Sequence, residues 1–199
     1  MKKIVLDQQV GGGRIIMIPD VSNMLFSFTF FSILGWVIEV VYRSIRDRSF
    51  VNPGLLKGPY LILYGAAALV LMVSVSLLHE YNIFVKALCY FVITTGIELI
   101  SGLNAQHFFN VWLWDYSDQR FQFRGHICLK FSIYWILLAF AFEYLLLPAY
   151  QGLATRLSCF GKGAFGIIMV LLMAIDFSMA VRRKQRRIEK EYQDARVKR

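Results

Sequence analysis

Apolar residues gather in five runs along the chain, at 24–41, 60–78, 83–102, 127–147 and 163–181, separated by short stretches where charge and glycine return. None of the five alternates with the period of two that marks a half-buried strand, and each approaches or reaches the roughly 20 apolar residues that a helix needs to cross a bilayer. The pattern predicts an all-α fold: a polytopic membrane bundle of about five transmembrane helices. The second run opens on Gly58-Pro59, where proline occupies the first helical turn and loses no hydrogen bond. Between the third and fourth runs, residues 103–126 hold Phe108, Phe109, Trp112, Trp114, Tyr116, Phe121 and Phe123. Such a composition suits an interfacial aromatic segment, with a short amphipathic helix in it, better than a sixth crossing. The chain divides accordingly into an external N-terminal segment (1–23), a transmembrane domain (24–181) and a basic cytosolic tail (182–199).

Composition agrees: at 57% hydrophobic and 16% aromatic residues, 199 residues are too apolar for one soluble domain. The N-terminus has Lys2 and Lys3 but then Asp7, Gln8, Gln9 and three consecutive glycines, so it lacks a signal-peptide core and the first apolar run is left as the insertion signal. The formal net charge of +9 is concentrated in the tail, which points to anionic lipid rather than to nucleic acid. With the tail cytosolic, that side carries Arg43, Arg46, Arg48, Lys57, Arg120, Arg124 and the nine basic residues after Val181, against Lys2, Lys3, Arg14, Arg156 and Lys162 opposite. Fifteen against five sets the orientation by the positive-inside rule. The same tail serves equally as a stop-transfer flank. Cys89, Cys128 and Cys159 form no CxxC pair, so neither a disulfide, a metal nor another cofactor is expected.

Ionisable groups at membrane depth are costly and each needs a reason. Glu39, Glu98 and Asp176 all fall near the cytosolic ends of their runs. Gly35, Glu39 and Arg43 are four apart and share a helix face, with the acid placed first for an ion pair. Thr94, Glu98, Ser101 and Gly102 make a second polar stripe. The two stripes together predict either a site for a phosphate or carboxylate, with the acids orienting the arginines or carrying a proton, or a fastening between helices. Lys86 and Glu143 are at similar depth near the other side and read as a structural pair or as snorkelling side chains. In the aromatic segment, His107, Asp115 and His126 are the groups available for acid–base chemistry, but their spacing matches no catalytic motif and an interfacial aromatic belt is the simpler explanation. No HExxH, GxSxG or GxxxxGK[ST] motif occurs, so no catalytic residue is assigned and ATP-driven work would require a separate ATPase subunit.

The run Leu34-Gly35-Trp36 with Glu39, Tyr42 and Ser44, then Phe50-Val51-Asn52, Gly54, Gly58-Pro59 and Tyr64-Gly65, followed by Glu98, Trp114-Asp115-Tyr116-Ser117, Gly125 and Ile127-Cys128-Leu129, resembles the CmpB family. These are bacterial membrane proteins labelled as type IV ABC-transporter proteins and related to the vertebrate transmembrane protein 229 family. The resemblance covers residues 34–138. It implies a multipass protein of the bacterial inner membrane, permease-like or an accessory transport subunit, with a small or lipid-like substrate. Three positions depart from the family pattern: Pro53 stands where an arginine is usual, Gln106 replaces a second glutamate of the third span, and His126 replaces an arginine. Taken with the polar stripes, the candidate substrate- or lipid-binding residues are Glu39, Arg43, Asn52, Glu98, Asp115, Arg124 and His126. The expected partners are anionic lipids, a separate ATPase subunit and a second copy of the chain, since five helices make a thin bundle. A lipid-binding scaffold and a membrane-embedded enzyme acting on lipid headgroups are the alternatives.

Overall fold

The structure is a computed structural model that describes residues 20–197, with side chains described through residue 186. It is an all-α membrane bundle. Four helical stretches are long and apolar enough to cross a bilayer: α1 (Val21–Asp47), α3 (Ile83–Phe109), the composite Leu129–Ala154 and α6 (Cys159–Val197). α2 (Ile62–Leu77) is apolar but only 16 residues long, which at 1.5 Å per residue spans about 24 Å. The composite consists of α4 (Leu129–Ala141), a π-helical turn (Phe142–Leu146) and α5 (Leu147–Ala154). Its wide turn has a local cause. Pro148 supplies no N–H, and the Leu147 N–H bonds Phe142 O five residues back.

α1 runs through the middle, packed between α2 and α6, while α3 packs on α2 and α4. Ser27, Thr29 and Ser32 of α1 are fully buried, which an apolar interior tolerates because each hydroxyl donates to a carbonyl four residues back on its own helix. Where α1 and α2 cross, Gly35 lies against the Tyr64 ring and Gly65 against Phe28 O and Ser32 Oγ. The Leu61 N–H donates to Ser32 O at the same crossing. A core of Phe26, Phe31, Tyr90, Phe142 and Tyr150 packs between the helices.

The ends of the elements differ from the apolar runs in informative ways. α3 continues past Gly102 to Phe109 and ends on Asn110 in the left-handed conformation, so residues 103–109 belong to the third helix. The rest of the aromatic segment forms turns and a two-residue hairpin, β1 (Gln122–Phe123) with β2 (Ile127–Cys128), rather than a short amphipathic helix. Positive φ at Phe121, Arg124 and Gly125 and the Asp115–Ser117 turn stop a helix there. α6 runs without a break through the span and into the tail. The expected external segment 1–23 lies almost wholly outside the described residues.

The connection between α1 and α2 is fastened from two sides. Asp176 of α6 accepts from the backbone N–H groups of Lys57 and Gly58 (2.8 and 2.9 Å) and from the Tyr60 hydroxyl (3.1 Å), with Arg183 at 3.6 Å. Trp36 Nε1 donates to Asn52 Oδ1 at 2.6 Å, and Asn52 Nδ2 donates to Lys57 O at 3.3 Å. Asn52→Ala removes both bonds from a solvent-accessible site and is expected to cost about 1 kcal/mol, read as a lower melting temperature with the cavity described below unchanged.

Candidate functional site

The connection 48–61, the C-terminal end of α3, the hairpin and the start of α4 meet at one end of the bundle. Of these, the connection, α3 and α4 line a cavity of about 690 Å³, together with α1, α2 and the loop residues Leu113, Trp114 and Tyr116. Most of its wall is aliphatic and aromatic. The polar groups on its walls include Glu39, Arg43 and Arg46 of α1, Tyr64 of α2, Ser101 and Asn104 of α3, and Tyr116 of the loop. A smaller cavity of about 70 Å³ lies against it, sharing Tyr64, Ile97 and Trp135 in its wall and lined in addition by Thr94 and Glu98.

Each charged group at this end has a definite set of partners. Arg43 Nε donates to Glu39 Oε1 at 2.7 Å, the ion pair that the four-residue spacing predicts, and Arg43 Nη2 donates to Leu113 O at 3.3 Å. The second Glu39 oxygen accepts from the Tyr64 hydroxyl at 2.8 Å. Across the cavity, Glu98 is 2% exposed and accepts from the Tyr116 hydroxyl at 3.0 Å through Oε1. Its Oε2 has no hydrogen-bond partner, and neither has Trp135 Nε1, which sits beside the same carboxyl without the alignment for a bond to it. Tyr116 stacks on Phe131 at 4.5 Å, and burial pushes its phenol well above the usual range. It stays a donor at any physiological pH.

The two polar stripes therefore face a shared space instead of touching. Glu39, Arg43 and Glu98 are brought together on the walls of the two adjoining cavities. The other candidates lie elsewhere. Asn52 holds Trp36 and the loop. Asp115 accepts from the Ser117 hydroxyl and N–H, which hold its carboxyl below the usual carboxylate range, and it closes a turn. Arg124 is exposed at the hairpin tip with its guanidinium over the Phe123 ring. His126 is 2% exposed, stacked on Trp112 at 4.7 Å, with Nε2 2.9 Å from Gln106 Oε1. Gln106 and His126 are two of the three departures from the family pattern, and they face each other.

Among the described residues no hydrogen bond joins any two of His107, Asp115 and His126, and none of the three lines the cavity; Asp115 lies against Gly125, next to His126, while His107 is exposed on α3. Among the described residues no cluster of three or more His, Cys, Asp or Glu side chains is placed to hold a metal ion. Tyr64, Tyr116 and Trp135 are the site residues absent from the sequence-derived candidates; Tyr64 and Tyr116 stand in the motifs that carry the family resemblance, but neither was given a role there. Trp135 did carry a signal, because an indole N–H in the middle of an apolar run, away from the interface where tryptophan usually sits, needs a partner.

A helical bundle of membrane-spanning length with an intramembrane cavity at one end is the architecture of a polytopic membrane protein. Residues 26–181 match the family model described as "Putative ABC-transporter type IV", and the chain belongs to that family. No solved structure matches the chain.

Proposed function

We propose that the chain is the membrane-embedded subunit of a transport system and takes an amphipathic, lipid-like molecule into the cavity between α1, α2, α3 and α4. The observation that carries this reading is the cavity itself. About 690 Å³ of mostly apolar wall, with a few polar groups at fixed places, is the composition of a site for a small amphipathic ligand. A structural fastening of Glu39 to Arg43 alone would leave the space filled by side chains. The family description supports a transport role. The sequence carries no phosphate-binding loop, so ATP hydrolysis belongs to a separate chain. Arg43, Arg46, Arg48 and Lys57 at the cavity end, with the basic stretch of α6, favour a cytosolic position for that end and an anionic inner leaflet beside it.

Purification from native membranes in mild detergent, with mass spectrometry of every protein and lipid retained, tests both parts. A stoichiometric ATPase together with a retained lipid is the expected result. A homo-oligomer that carries only a lipid would overturn the transport-subunit reading in favour of a lipid-binding scaffold. Ser101→Trp, which projects bulk into the large cavity, is expected to lower lipid retention about tenfold, equivalent to about 1.4 kcal/mol, without changing the elution volume of the protein. Unchanged retention would place the lipid outside this cavity.

A further inference from the structure

We propose that Glu98 recognises an aliphatic ammonium group, which replaces the proton that the carboxyl carries when the site is empty. This rests on the reading of the cavity as an amphipathic-ligand site and names the chemical class of the ligand's head.

The membrane-depth acids differ in one respect. Glu39 has Arg43 at 2.7 Å, Glu143 has Lys86 at 2.5 Å, and Asp176 has two backbone N–H groups, a phenol and Arg183. Glu98, equally deep and 2% exposed, has no cation within 4.0 Å among the described residues; its Oε2 lacks a hydrogen bond, as does Asp176 Oδ1, but Asp176 has Arg183 at 3.6 Å and Glu98 has nothing charged beside it. The titratable groups that face it are Tyr116 from the loop, Tyr64 from α2 and the already paired Glu39–Arg43 of α1. α4 presents Trp135 and Tyr134, and His126 packs on Gly102 one turn further along α3. A lone ionised carboxylate in such surroundings is prohibitively costly, so the group holds either a proton or a cation supplied from outside.

The walls decide which cation. A metal ion needs several oxygen, nitrogen or sulfur ligands, and here the Thr94 hydroxyl is already given to Tyr90 O while the remaining wall is aromatic and aliphatic. An organic ammonium needs one carboxylate and gains from aromatic rings, of which Trp135, Tyr64, Phe31 and Phe142 line this wall. The small cavity, about 70 Å³, has room for the ammonium and its first methylenes, and the adjoining 690 Å³ takes a hydrocarbon chain. Trp135 Nε1 lies beside the same carboxyl, so a hydroxyl next to the amine has an indole N–H from which to accept. In the exchange the ammonium enters already protonated, the carboxyl gives its proton to water, and no net charge is added to the bundle.

Isothermal titration of octylammonium and of octanol into the full chain in lipid nanodiscs, against empty nanodiscs and in two buffers of different ionisation enthalpy, tests the inference. Octylammonium is expected to bind about tenfold more tightly than octanol and to release one proton per ligand. Glu98→Gln is expected to reduce the amine to the octanol level and leave octanol unchanged. Equal binding of the two probes by the wild-type protein, binding of the amine without proton release, or an amine preference that survives in Glu98→Gln would each overturn the assignment, with the cavity reading intact. If neither probe binds, the cavity reading falls and takes this one with it. Should the variant not fold, the wild-type preference and proton count decide.

Discussion

Replacing Lys86 by alanine is expected to destabilise the bundle by about 3–5 kcal/mol, the cost of leaving a buried carboxylate without its cation. Lys86 Nζ lies 2.5 Å from Glu143 Oε1, the Tyr90 hydroxyl donates to Oε2 at 2.8 Å, and all three side chains are buried. Glu143 sits in the π-helical turn, so the triad joins α3 to the one irregular turn of the neighbouring helix. The size of the effect comes from the orphaned acid rather than from the strength of the pair. Lys86→Met combined with Glu143→Leu, which removes both charges, should therefore recover most of the loss. Unfolding in mixed micelles, with both single variants and the double variant, measures the coupling. Single variants that unfold like the wild type would show that water or lipid headgroups solvate the pair.

That pair was legible in the sequence, because an acid and a base at matching depth on neighbouring runs have few other ways of being accommodated. The Glu39–Arg43 pair was legible for a still simpler reason, since four residues on a helix fix the contact without any tertiary information. Glu98 was selected by its depth, but its surroundings were not. The loop residue that reaches it, Tyr116, comes from a segment whose path is set by the left-handed Asn110 and the Asp115–Ser117 turn, and neither leaves a periodic trace. Asp176 shows the opposite outcome. Depth grouped it with Glu39 and Glu98, yet its carboxylate is occupied by two backbone N–H groups and a phenol of the α1–α2 connection. Backbone donors in an irregular loop are invisible to any reading of side-chain types. Helix ends were misjudged in both directions: α2 begins only at Ile62, past Gly58-Pro59, whereas α3 extends through Gln106 and His107 because those side chains pack on the hairpin or point outward, and polarity on one face does not stop a helix.

Gly65→Val is expected to cost about 3 kcal/mol or more, through overpacking at the closest crossing in the bundle. A Cβ on Gly65 would meet Ser32 Oγ at 2.2 Å, Phe28 O at 2.5 Å and a Phe28 ring carbon at 2.9 Å. The hydroxyl can rotate aside, but the carbonyl belongs to the α1 backbone, so α2 has to move away as a unit. That movement carries Leu61, whose N–H donates to Ser32 O, and Tyr64, whose hydroxyl holds Glu39. Loss of stability and loss of the cavity wall are therefore expected together. Gly96 of α3 provides the control, since a Cβ there meets nothing within 4 Å. Gly96→Ala should stabilise by about 0.5–1 kcal/mol through helix propensity alone. Melting temperatures of the two variants in the same micelles, with lipid retention measured on each, separate the effects. If Gly65→Val retained both wild-type stability and bound lipid, α1 and α2 would have to lie further apart than this crossing, and the cavity that their separation defines would have a different shape.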